Sequence, residues 1–321
     1  MKTNNRYHPS HKGDQPIRVL QHNMINTFET THSGFLKELK QTVKAGLKKG
    51  IVYVCNNHPI YSLDINQTPY VDVNKTIYIH ETFCSYLWCI SYALVVLYEE
   101  ETAKMGQNRY HEREINMIDR EHIQKAILLF GYAKSSISSF TVWDQEKLTN
   151  PELYSDNEAF WVEKANSLYL YAINFILCHE YAHVKLGHLD LLKRFNPPDT
   201  VRKRREVEAD NLAIELMFRD SADHSERTLT LGVLMGLLSI LFLNRKTSMK
   251  THPHTDERIH RYLMHLDLTD EDPIWAVTCI AYKLWDTQFG HALIFTENIT
   301  NYKEMYDHLK QQVGDMRNKN G

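Results

Sequence analysis

The sequence has no CxxC pair. Its five Cys, at positions 55, 84, 89, 178 and 279, are scattered and odd in number. A disulfide framework is therefore not expected, and a reduced, cytoplasmic chain is. A dominant charge is missing too. The 37 Lys and Arg stand against 40 Asp and Glu, a net charge of −3, so bulk electrostatics gives no reason to expect nucleic acid as a partner. Two uncharged apolar runs, Thr82–Tyr98 and Thr228–Asn244, are 17 residues each, short of the roughly 20 that cross a bilayer. Both contain Ser, Thr or Asn and read as buried core helices, with peripheral membrane contact left open. The opening MKTNNRYHPSHKGDQP lacks the apolar core of a secretory signal, so the sequons at Asn66, Asn74 and Asn298 carry no expectation of glycosylation. No internal repeat stands out.

Histidine is abundant, with 18 in the chain. Two belong to Cys178-His179-Glu180-Tyr181-Ala182-His183, an HExxH sequence late in a long helical pattern. On a helix, residues i and i+4 lie about 40° apart, so His179 and His183 share a face. Two imidazoles at that spacing can hold one Zn²⁺, with Glu180 between them placed to act on a water.

Catalytic zinc normally takes a third protein ligand. His188, nine residues after His179, would point about 180° away on a continuous helix. Gly187 and His188 also miss the HExxHxxGxxH register by one. Glu206 is the better candidate, on a second helix that can return alongside the first after the Pro197-Pro198 break. Glu206 and Asp210 are i and i+4 and share a face, while Glu208 points about 200° from Glu206. Asp210 is then placed to accept a hydrogen bond from the far N–H of a ligand histidine. Ala209 and Ala213 are small enough to let the two helices approach. Downstream, His252, His254 and Arg258 are candidate donors to the oxyanion of a tetrahedral intermediate, and His252 is the choice among them. The basic run Arg202–Arg205 reads as a solvated turn.

Periodicity predicts an α+β chain, predominantly helical, with a small N-terminal sheet. Residues 1–16 read as a disordered tail. A helix starts near Ser33 and ends at Gly50. Strands follow at Ile51–Cys55 and within Tyr70–His80, then helices at 82–102 and 115–134, with a polar connection over 105–114. Residues 135–157 read as a long surface loop of the kind that can gate a site. Helices are then expected from about Asn157 through HExxH, and at 201–218, 227–243, 253–266, 273–289 and 299–313. One metallopeptidase domain spans 17–321, with an N-terminal α/β part (17–104), a catalytic helical part (105–266) and C-terminal helices (267–321).

HExxH on one helix and ExxxD on the next is the gluzincin arrangement. Three blocks together resemble M48-type peptidases: His179–His183; Glu206-Val207-Glu208-Ala209-Asp210; and Thr251-His252-Pro253 with Arg258-Ile259. The closer likeness is to the Lit peptidases (peptidase U49), phage-exclusion proteases of bacteria, over about residues 75–262. The resemblance implies a gluzincin-like zinc metallopeptidase core in a host cytosol. It also implies a protein substrate, the translation factor EF-Tu, and a phage-derived activator. In the mechanism this predicts, His179, His183 and Glu206 hold Zn²⁺ and a water. Glu180 moves the proton from that water to the leaving amine, and His252 faces the oxyanion. Two other readings remain: a membrane-associated M48-like protease, and a non-catalytic, metal-stabilised regulatory protein.

Overall fold

The computed structural model describes residues 4–44, 51–55, 68–109, 120–138, 141–192, 197–220, 223–247, 251–295 and 301–319. In chain order these form β1 (Asn4–Asn5), a 3-10 turn (Pro16–Leu20), α1 (Gln21–Glu29), α2 (Phe35–Lys44), β2 (Ile51–Val54), β3 (Tyr70–Val71), β4 (Ile77–His80), α3 (Glu81–Arg109) and α4 (Arg120–Ser138). Then come β5 (Leu153–Tyr154), α5 (Asp156–Lys185), α6 (His188–Leu192), α7 (Asp199–Phe218), α8 (Asp223–Leu241), α9 (Thr255–His265), α10 (Pro273–Phe289) and α11 (Tyr302–Lys319). The chain is predominantly helical α+β, as its periodicity predicts. The three-stranded sheet has the order β2-β4-β3, with β2 parallel and β3 antiparallel to β4.

α5 is the axis of the molecule, with α1, α3, α7, α8 and β3 packed around it. Its start is fixed by a capping box. Ser155 is the N-cap, and the Glu158 carboxylate accepts from the Ser155 backbone N–H at 2.9 Å and hydroxyl at 2.8 Å, which satisfies donors that a helix start leaves open. Beyond the first turns it is apolar on nearly every face, and Ala172 through Ala182 is buried throughout.

Both uncharged runs lie inside the protein. One helical segment, Glu81–Glu100, is long and apolar enough to cross a membrane, and 89% of it is buried. Two of its polar groups are bonded inward: Trp88 Nε1 donates to Asn166 of α5 at 2.7 Å, and the Tyr86 hydroxyl donates to the Ser239 carbonyl of α8. The second run forms α8, which meets α5 through Gly232 and Gly236. A Cβ at Gly232 would lie 2.2 Å from Tyr171 Cβ, so only glycine fits there.

Three expectations are corrected. Residues 4–16 are not a disordered tail: β1 pairs with β5, and the Gln15 backbone N–H donates to buried Glu81 at 2.7 Å. The helix expected over 82–102 runs on to Arg109, so 105–109 is not a connection. Segment 135–157 is not one long surface loop, although Val142, Glu146 and Lys147 in it are exposed. It begins in α4, ends in β5 and α5, and buries Trp143, Asn150 and Tyr154. Local polarity misled there because part of the segment is held by partners distant in sequence, as where the Trp143 backbone N–H donates to Gln15. Arg18, for example, grips Glu152 with two hydrogen bonds.

Candidate metal centre

His179 and His183 leave α5 one turn apart, and α7 brings Glu206 against them. The Nε2 atoms of the two histidines lie 3.2 Å apart. Glu206 Oε2 is 3.3 Å from His179 Nε2, and Glu206 Oε1 is 3.6 Å from His183 Nε2. These three side chains form a group that can hold a metal ion. Ligand atoms each about 2.0–2.1 Å from a tetrahedral zinc are about 3.3–3.4 Å from one another, so the observed separations fit one ion. Ala209 and Ala213 are fully buried on α7.

The surrounding groups fix how the ligands point. His179 Nδ1 lies 2.9 Å from Asp210 Oδ1, which directs Nε2 at the other two ligands. Asp210 is gripped from its far side by Arg258 of α9, Nε to Oδ2 at 2.8 Å and Nη2 to Oδ1 at 2.6 Å. Burial by itself disfavours charge on His179; hydrogen bonds and charges from Asp210 and Glu206 outweigh it and lift the imidazole to about 10. Burial also opposes ionisation of Glu206 and Asp210. Both nonetheless sit well below the usual carboxylate range, Glu206 through His179 and His183, Asp210 through Arg258 and His179. The cage is built for positive charge.

A cleft of about 470 Å³ opens over these atoms, with apolar walls that include Phe83, Phe175, Ile176, Leu189, Ile240 and Leu243. Glu180 lines it. Burial raises the Glu180 carboxyl above its ordinary value, against the pull of His179 and His183 and of a hydrogen bond from the Val71 backbone on β3. His252 also lines the cleft, its Nε2 3.6 Å from Glu206 Oε2. The other two oxyanion candidates are placed differently. Arg258 is committed to Asp210, and His254 lines a separate cavity with Trp285 and Arg317. No described residue of 135–157 lines the cleft, so the gate expected there is corrected; Thr68, Pro69, Tyr70 and Val71 form that rim.

The continuous helix assumed for His188 does not exist. α5 ends at Lys185, and Gly187 takes a left-handed φ of +70° that turns the chain back, a common helix-ending device. His188 then lies beneath His183 with their Nδ1 atoms 3.1 Å apart, and its Nε2 is 3.2 Å from Glu208 Oε2. Burial, with the His183 charge beside it, lowers His188 to about 4. Arg205, expected in a solvated turn, is buried and lies 3.4 Å from the His188 carbonyl.

Among known proteins, the profile of the family described as Peptidase U49 matches residues 77–278, from the start of β4 into α10. No curated protein matches the chain, and no solved structure does.

Proposed function

The chain belongs to the peptidase U49 family, a family of peptidases, and on that premise we propose that it is a zinc-dependent endopeptidase. The observation that carries this reading is the convergence of His179, His183 and Glu206 beside Glu180, all four lining one cleft of about 470 Å³. Zinc held by those three residues would supply a Lewis acid for the scissile carbonyl and lower the pKa of a water.

The remaining steps belong to the chain. Glu180 accepts the proton of the attacking water and returns it to the leaving amine. His252, beside Glu206 in the cleft, donates to the oxygen that gains charge in the tetrahedral intermediate. Asp210, itself held by Arg258, keeps His179 Nδ1 protonated and Nε2 free. The apolar walls exclude water and favour a bulky apolar side chain beside the scissile bond.

The substrate proposed is a host translation factor, EF-Tu, cleaved in the cytoplasm as an antiviral response that a phage-derived protein switches on. Support for this comes from the family resemblance, not from the geometry. The first test is elemental analysis of the protein beside its Glu206→Ala and Glu180→Gln variants. One zinc per chain, retained by Glu180→Gln and lost by Glu206→Ala, is the expected result, and absence of zinc uptake would refute the reading. Incubation with purified EF-Tu, read by mass spectrometry, then tests the substrate. Cleavage by the parent but not by Glu180→Gln is expected; an intact factor, with and without phage lysate, would discard it.

A further inference from the structure

The outer support of His183 is a second histidine where a carboxylate commonly stands, and its hydrogen bonds fix a direction. The starting point is Glu208. An ionised carboxylate only accepts, so His188 Nε2, 3.2 Å from Glu208 Oε2, carries a hydrogen. Only one hydrogen fits between the facing Nδ1 atoms of His188 and His183, and the tautomer of His188 with its hydrogen on Nε2 leaves a lone pair on Nδ1. That lone pair faces His183 Nδ1 at 3.1 Å, which must then be the N–H that donates. The tautomer of His183 with its hydrogen on Nδ1 has a bare Nε2, and this atom points at His179 and Glu206.

We propose that His188 and Glu208 form a positioning relay that fixes the tautomer and ring plane of His183 as a metal ligand. This rests on the zinc reading above. The relay also explains two features that the three ligands leave unexplained. Gly187 supplies the left-handed residue that brings His188 back under its own helix. Buried Arg205 lies within reach of the His188 carbonyl and ties that turn to α7. Glu208, on the face of α7 away from Glu206, therefore acts on the metal through two imidazoles. The two ligand histidines are held by unlike devices: His179 by an arginine-clamped aspartate, His183 by a histidine whose far end reaches half-exposed Glu208.

The test is zinc affinity by chelator competition on the full chain and on its His188→Ala, His188→Asn and Glu208→Ala variants. The thermal midpoint of each metal-free protein is recorded beside it. His188→Ala removes the acceptor and is expected to weaken zinc binding by roughly 10–100-fold. Asn places an oxygen acceptor where Nδ1 stood, so His188→Asn is expected within about threefold of the parent. Glu208→Ala should fall between them. Parental affinity in His188→Ala overturns the relay, as does a loss in His188→Asn equal to that in His188→Ala at matching metal-free midpoints. Nitrogen-15 NMR of the parent gives a second readout, with His183 expected protonated on Nδ1 and His188 on Nε2. His188 protonated on Nδ1 instead would also overturn it. If the parent takes up no zinc, the zinc reading fails, while the two tautomers still decide the relay.

Discussion

Asp210 stands between His179 and Arg258 and is almost fully buried. Replacing it by Asn keeps the shape but removes the charge that Arg258 faces. Asp210→Asn is expected to lose roughly 10–100-fold in zinc affinity, because the orientation of His179 is no longer fixed. It should also lose about 3 kcal/mol of stability, because a buried guanidinium is left uncompensated. Chelator competition and a denaturant titration measure the two effects, and unchanged affinity would show that other groups orient His179. At this scale the shared faces of His179 with His183 and of Glu206 with Asp210 were legible in the sequence, since i,i+4 spacing alone puts each pair on one helix face. His188 was misread. Its direction depends on where α5 ends, and Gly187, the one local sign of that end, was weighed only against a zinc-ligand register.

At the level of elements, the site depends on how α5 is started and how closely α8 packs on it. Gly232→Ala should raise the intrinsic helix propensity of α8 by about 1 kcal/mol. Its Cβ would meet Tyr171 at 2.2 Å, however, so overpacking is expected to win by about 1–3 kcal/mol. A thermal midpoint at or above the parent would show that the two helices can separate at little cost. The start of α5 gives a pH prediction. Burial alone would raise Glu158, but hydrogen bonds from Ser155 and the charge of Lys125 bring it down to about 2. A depressed carboxyl stabilises the fold above its unfolded value of 4.5, and that contribution is lost as the pH falls from there toward about 2. Glu158→Gln can keep the capping box without the charge. It should cost about 1 kcal/mol near pH 7, allowing for solvent screening, and the cost should shrink below pH 4.5. Melting curves at pH 7 and pH 3 check this, and an equal gap at both would remove the ionised carboxylate as the cause. Helix positions were readable from apolar period, but α3 outran its expected end because its last turns are polar.

Across the whole molecule, a metal ion at the three ligands would tie α5 to α7. Anything that binds only the folded chain stabilises it, by about 2.7 kcal/mol at a concentration 100-fold above Kd. Added zinc is therefore expected to raise the thermal midpoint by roughly 5 °C, and a chelator should reverse the rise. A midpoint indifferent to both would mean that no ion bridges the helices. The sequence by itself determined the helical class, the strands of the small sheet, the burial of both uncharged runs and the shared faces of His179 with His183 and of Glu206 with Asp210. Each follows from short-range periodicity, and periodicity is a local property of the chain. Tertiary structure alone decided the rest. It pinned the N-terminal segment through β1 and Glu81, anchored 135–157 through Trp143 and Asn150, placed Thr68–Val71 in the cleft lining, and turned His188 against His183. In each case a polar group finds its partner through space, in another element or beyond a turned helix end. A hydrogen bond between such positions leaves no periodic trace in either segment that makes it.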